Sequence, residues 1–196
     1  MANWETLREA NAARNIEWTN GAGVDYTWRG CELMGELGEI AELFVNPPRD
    51  EADWRPKWLD NLRGELADGA ICVDLTSMTL DLPGIPIGDD VPPEPIEGLR
   101  RLSNSDLFSA MLANGGALAN GLKKLEREKR GWPGSRLTDP SDLWPNVWLV
   151  HSVLRVLAER YGIDLADAVV RKFNSTSAKV GLTTRLVTVE GVSPTI

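Results

Sequence analysis

The residues best placed to do chemistry form two short acidic runs, Gly35-Glu36-Leu37-Gly38-Glu39-Ile40-Ala41-Glu42 and Gly64-Glu65-Leu66-Ala67-Asp68. On a helix, Glu36 and Glu39 project from one face, as do Glu65 and Asp68, because residues three apart are surface neighbours. Like charges at that spacing repel unless a cation sits between them. Two such helices packed antiparallel would bring four carboxylates together, and an oxygen-only donor set suits Mg²⁺ or Mn²⁺ rather than zinc. Acid pairs at this spacing also decorate ordinary solvated helix faces. Here the neighbours are apolar or small, and Gly38 weakens its helix by roughly 1 kcal/mol against alanine. A glycine at that point leaves room for another backbone or a ligand.

The rest of the composition narrows the chemistry. The chain has 196 residues with 29 acidic against 21 basic side chains, a net charge of −8, which argues against a nucleic-acid-binding surface. One histidine, His151, disfavours a histidine triad or a multi-histidine metal site, and reads as a structural or surface residue. Cys31 and Cys72 make neither a disulfide framework nor a zinc cluster, and both read as small packed hydrophobes. Asp74 falls off the face of the second acidic run and reads as a supporting or merely polar group. GxxxxGK[ST] does not occur, so kinase or motor ATPase chemistry is disfavoured. No run approaches the roughly 20 apolar residues of a membrane helix. The start, MANWETLREANAARNIEW, is too polar for a secretory signal, so the expected location is the cytoplasm.

The elements that must position these acids are helical. Apolar periodicity predicts helices over about 4–18, 27–45, 58–82, 103–130, 141–161 and 164–174. Asn20-Gly21-Ala22-Gly23, Pro47-Pro48, Pro83-Gly84, Gly131-Trp132-Pro133-Gly134 and Gly162 stop them. Ser103 with Asp106, and Asp164 with Asp167, are capping signals. Residues 83–98, PGIPIGDDVPPEPIEG, read as a proline-rich linker between an N-terminal half, 1–82, and a C-terminal half, 99–196. The tail after Val180 carries no helical signal. The expected fold class is all-α, with no strand pair.

Taken together, the ELGE and ELAD runs resemble the ExxE…ExxD signature of the MazG-like all-α nucleoside triphosphate pyrophosphohydrolases. GELGEIAELF is similar to a helix of the related dCTP pyrophosphatases. Arg29-Gly30-Cys31-Glu32-Leu33, KKLEREKRGWPGSR at 123–136, and the block from Arg171 to Leu186 resemble segments of phage-type dATP/dGTP pyrophosphohydrolases. The order of the segments differs from that family, because the KKLERE-like segment follows the linker instead of the first acidic run. This suggests a fused tandem, pseudo-dimeric version of the helical bundle with a degenerate second copy. Sliding the family pattern onto the second half puts Asn114 and Ala117 at the places of Glu36 and Glu39, and Asn146 and Leu149 at those of Glu65 and Asp68.

The resemblance implies Mg²⁺-dependent hydrolysis of a (deoxy)nucleoside triphosphate, a purine dNTP by the phage-type likeness, to the monophosphate and pyrophosphate. Mn²⁺ would be a possible substitute. Glu36, Glu39, Glu65 and Asp68 would be the metal ligands, with Glu36 or Glu39 taking a proton from the attacking water. Lys172 and Asn174 in the C-terminal block, with Lys179, would contact the triphosphate. Lys123, Lys124 and Arg127 recur at helical spacing and are candidates for the same task, or form an ordinary solvated face. Trp28, just ahead of the first acidic run, is the candidate for stacking on the base. A dimer of the fused chain, in the host cytoplasm if phage-encoded, is the expected assembly, without nucleic-acid or membrane partners. The competing reading is a non-catalytic helical module that binds nucleotides or a protein. Retention of all four acids in the first half favours the enzyme.

Overall fold

The computed structural model describes residues 3–47, 54–87, 96–134 and 139–187. Among them lie seven α-helices: α1 (Leu7–Thr19), α2 (Tyr26–Val45), α3 (Trp54–Thr79), α4 (Ile96–Arg100), α5 (Asn104–Lys129), α6 (Trp144–Arg160) and α7 (Leu165–Lys179). Side-chain caps supply acceptors for otherwise orphaned first-turn amides. Asp25 accepts from the Thr27 and Trp28 amides at the head of α2. Ser103 accepts from Asp106 N before α5, and Asp164 from Asp167 N before α7. At the other end of α1, Asn20 turns left-handed at φ 49° and Gly21 follows at φ 78°, which releases the chain towards α2.

Four helices make the central bundle. The α2–α3 pair runs antiparallel: Trp58 Nε1 donates to Leu43 O at 2.8 Å, while the earlier Ile40 meets the later Gly69. The α2–α5 pair is antiparallel as well. Phe44 stacks on Phe108 with centroids 4.6 Å apart, Leu37 fills the space beside Gly115, and Gly30 faces Ala119. On the far side, α5 and α6 are joined by Asn104 to Tyr161 (2.8 Å) and Asn146 to Asn114 (2.7 Å). α6 returns onto α3, where Leu154 reaches Gly69 and Tyr161 meets Trp58 edge-to-face. Leu33, Leu37, Ile40, Leu62, Leu66, Leu118, Leu154 and Phe173, drawn from both sides of the 83–98 segment, belong to one hydrophobic core.

α1 and α7 flank α3 and close one side of the molecule. Buried Asp74 ties α1 to α3, accepting from Asn11 Nδ2 (2.9 Å) and Arg8 Nε (3.1 Å), and it also receives the Ile85 amide. Asp74 is therefore a structural clamp. Glu17 on α1 accepts from Thr184 N and Oγ1, and these bonds with Thr183 N hold its carboxyl down at about 2. Asn174 on α7 exchanges two hydrogen bonds with the Leu186 backbone.

Four details depart from the sequence reading. Asn3–Trp4 and Arg185–Leu186 form a short parallel strand pair, so the first helix begins at Leu7 and the tail carries a strand at Arg185–Leu186, residues 188–196 lying outside the described residues. Two residues per strand carry no periodic signal, and the partner lies at the opposite end of the chain. Ile96–Arg100 is a short helix that begins in the last residues of the expected 83–98 linker, of which residues 88–95 lie outside the described residues. Cys31 is exposed while Cys72 is buried, so only Cys72 is a packed hydrophobe. Among the described residues nothing lies where a side chain on Gly38 would reach, so none of their backbone uses the room it offers. His151 is fully buried, and burial together with Arg155 pushes its pKa down to about 4, which keeps it neutral. Among the described residues, no helix is long and apolar enough to cross a membrane.

The α2–α5 seam gives a direct test of the packing. A β-carbon on Gly115 would lie 2.5 Å from Leu37 Cδ1, whereas one on neighbouring Gly116 would meet nothing within 4 Å. Gly115→Val should destabilise the fold by about 1–3 kcal/mol through overpacking. Gly116→Ala should stabilise it by up to about 1 kcal/mol through helix propensity. Thermal or urea unfolding of the two variants should therefore move in opposite directions.

Candidate functional site

On α2 the core-facing stripe is Leu33, Leu37 and Ile40, so the alternate stripe, Trp28, Arg29, Glu32, Glu36 and Glu39, turns away from the bundle centre. On α3, Leu62 and Leu66 face the core, which turns Glu65 and Asp68 the same way. Antiparallel packing then brings the two acidic stripes together. One carboxylate oxygen from each of Glu36, Glu65 and Asp68 lies within 4.8 Å of the others, all three side chains being half-buried. Glu39 is exposed at the rim, outside this trio, though its charge acts on both Glu36 and Glu65.

Burial and mutual repulsion make the cluster resist ionisation. The Glu36 carboxyl is pushed up to about 7, foremost by burial and then by Asp68, Glu39 and Glu65. Burial also raises Glu65 and Asp68, each against the opposing charge of Lys172. Lys172 Nζ on α7 lies 2.6 Å from Asp68 Oδ2. Burial would lower this ammonium, but the Asp68 hydrogen bond and the charges of Asp68, Glu65 and Glu36 hold it above its ordinary value. Gly64, one turn before Asp68, lies beside this ammonium: a β-carbon there would sit 3.5 Å from Lys172 Nζ, an ordinary van der Waals contact.

The cluster forms one wall of a cavity of about 740 Å³ between α1, α2, α3 and α7, within the usual range for a small-molecule site. Glu36, Asp68 and Lys172 line one end. Asn11, Arg14, Asn15, Arg29 and Glu32 line the middle. Arg29 is buried, paired with Glu32 and bonded to Asn15 Oδ1 at 3.0 Å, with its Nε unpartnered. Arg14 lies 3.6 Å over the Phe173 ring, and burial lowers its pKa to about 10. At the mouth stand Trp18 and Trp28, exposed at 52% and 66%, beside Val180 and Lys179. Trp28 precedes Glu36 by eight residues, so the two ends are separated by about 12 Å along α2. Cys72 also faces the cavity, but burial and the nearby Glu32, Glu36 and Asp68 push its thiol up, so it is not an activated nucleophile.

Of the residues singled out in the sequence, Trp28, Glu36, Asp68, Lys172 and Lys179 line this cavity, and Glu65 joins its acidic wall. Asn174, two residues past Lys172, is instead bonded to the Leu186 backbone. Lys123, Lys124 and Arg127 lie on α5, which contributes nothing to the cavity lining, and Arg127 bonds Pro133 O. Sequence reading missed the α1 wall of Asn11, Arg14, Asn15 and Trp18. Its signal was a polar stripe at helical spacing, which looks like a solvated face until Asn11 and Arg14 are seen to be buried. Comparison of the chain with protein-family models, curated proteins and solved structures finds no match.

The raised carboxyls predict a pH-dependent stability. Glu36 binds a proton more tightly when folded than when unfolded. The stability from that proton is fully present below the ordinary carboxyl range and is lost as pH rises towards about 7. In the absence of divalent cations, Glu36→Gln should therefore raise the melting temperature at pH 8 and leave it nearly unchanged at pH 4. An equal shift at both pH values would contradict the electrostatic origin.

Proposed function

We propose that the chain is a divalent-cation-dependent nucleoside triphosphate pyrophosphohydrolase of MazG-like architecture, cleaving its substrate to the monophosphate and pyrophosphate. The observation that carries this reading is the cavity itself. Three oxygen donors converge at one end, cationic and amide side chains line the middle, and two exposed indoles flank the mouth. A ligand that fits must combine a polyanionic, metal-binding part with a flat ring at a distance, as a nucleoside triphosphate does.

The donor set fits Mg²⁺ or Mn²⁺, since every candidate ligand is a carboxylate oxygen and the three lie close enough to share one ion. When bound, such a cation would neutralise the phosphates and lower the pKa of a water. The chain's own residues do the rest. Glu36, Glu65 and Asp68 hold the charge that attracts the ion. Glu36 or Glu39, one turn apart on α2, accepts the proton of the water that attacks the α-phosphorus. Lys172 and Arg14 bring positive charge to the phosphates in a protein that is otherwise acidic. Trp28 and Trp18 offer ring faces to the base. Purine dNTPs are the substrates proposed, on the sequence resemblance alone.

The arrangement of the bundle supports the fused-tandem reading. The interval from Tyr26 to Asn104, where α2 and α5 begin, nearly equals that from Thr79 to Arg160, where α3 and α6 end. The first interval pairs Glu36 with Asn114 and the second, slightly longer one pairs Glu65 with Asn146, and these two asparagines hydrogen-bond each other at 2.7 Å. A neutral amide pair needs no cation, so the second copy keeps the packing and drops the charge.

Purified protein should release pyrophosphate from a purine dNTP only with Mg²⁺ or Mn²⁺. Glu65→Gln and Asp68→Asn should each lower turnover by at least about 100-fold, the scale of a lost transition-state contact of roughly 2.7 kcal/mol or more. Circular dichroism should show intact helices in both. Near-full turnover in either variant, or hydrolysis in EDTA, would refute the assignment.

A further inference from the structure

Among the described residues, Lys172 is the one cation seen in contact with the acidic cluster, and it is not a chance surface pairing. Its ammonium sits 2.6 Å from Asp68 and lies beside Gly64 on α3. Its helix is anchored on both sides, by fully buried Phe173 and by the hydrogen bonds between Asn174 and Leu186. Glu36 and Glu65 also feel its charge. The position of Lys172 on Asp68 is therefore one that a divalent cation would contest, because both need the same carboxylate oxygens.

Resting on the functional reading above, we propose that Lys172 is an exchangeable internal cation that a divalent ion displaces from Asp68, after which its ammonium serves the anionic part of the substrate. The site then fills in order. Without a divalent ion, Lys172 partly neutralises Asp68 and so limits the repulsion among the three acids. An anion arriving first finds the lysine engaged. A divalent ion arriving first takes Asp68 and sets the ammonium free on its flexible stem, still within the cavity that both residues line. Binding of metal and of polyphosphate thus becomes mutually reinforcing, and by linkage each strengthens the other by the same factor.

This predicts an effect opposite to that of a simple structural residue. Lys172→Met keeps the length of the stem and removes the charge. Calorimetric titration with Mn²⁺ alone should show tighter binding to Lys172→Met than to the original protein, by about 10- to 100-fold, the range of a lost competing charge-assisted bond. Titration of the Mn²⁺-loaded proteins with inorganic tripolyphosphate should show the reverse order, with Lys172→Met the weaker binder by a similar factor. Equal or weaker Mn²⁺ binding by Lys172→Met would overturn the exchange while leaving the metal site standing. Absence of Mn²⁺ binding to both proteins would overturn the exchange and the proposed function together. Circular dichroism establishes that the variant is folded before either titration is read.

Discussion

The antiparallel packing of α2 on α3 forces like charges together, and much of the structure serves to tolerate that. Leu37, Ile40, Leu62 and Leu66 cannot be buried along this seam without turning Glu36, Glu65 and Asp68 towards one another. Their repulsion is part of what raises the three carboxyls, and it opposes the burial that holds the helices together. Lys172 answers it from α7, and Arg14 adds its charge from α1. Those two helices are in turn fixed by contacts of their own: Asp74 to Arg8 and Asn11, Glu17 to Thr184, and Arg14 over Phe173. Stability lost at the seam is offset by an outer layer that also shapes a cavity. This is the usual trade between a charged site and the fold that carries it.

The same logic explains why the second half of the bundle is quiet. Where α5 meets α6, Asn114 and Asn146 satisfy each other without charge, and no compensating lysine is required. The halves share one core through Leu37 and Gly115 and through Gly69 and Leu154, so the second half acts as the surface on which the charged half is built. α7 then reaches back from that half to place Lys172 beside Asp68. A residue distant in sequence thereby completes the electrostatics of the first.

Much of the scaffold was legible because its signals are local. Helical periodicity, the Ser103–Asp106 and Asp164–Asp167 caps and the Asn20-Gly21 turn all appear where the residues imply them. The acidic spacing in the two runs marks Glu36, Glu65 and Asp68, which the fold brings together, and two of them line the cavity. Information carried only by tertiary contact was not legible. The strand pair joins the two ends of the chain in segments too short for periodicity. Asn11, Arg14 and Asn15 read as a polar face because nothing local reveals that α7 and α3 cover them. Lys123, Lys124 and Arg127 share the helical spacing of a binding face, yet α5 presents none of its residues to the cavity.

Anomalous diffraction from crystals grown with Mn²⁺ and a nonhydrolysable purine dNTP analogue tests the central claim most directly. The account predicts an anomalous peak within coordination distance, about 2.0–2.6 Å, of oxygens from Glu36, Glu65 and Asp68. It predicts no peak between Asn114 and Asn146. The phosphates should lie against that metal, with the base towards Trp18 and Trp28. A fully occupied analogue lying elsewhere, or a metal bound away from the three carboxylates, would contradict it.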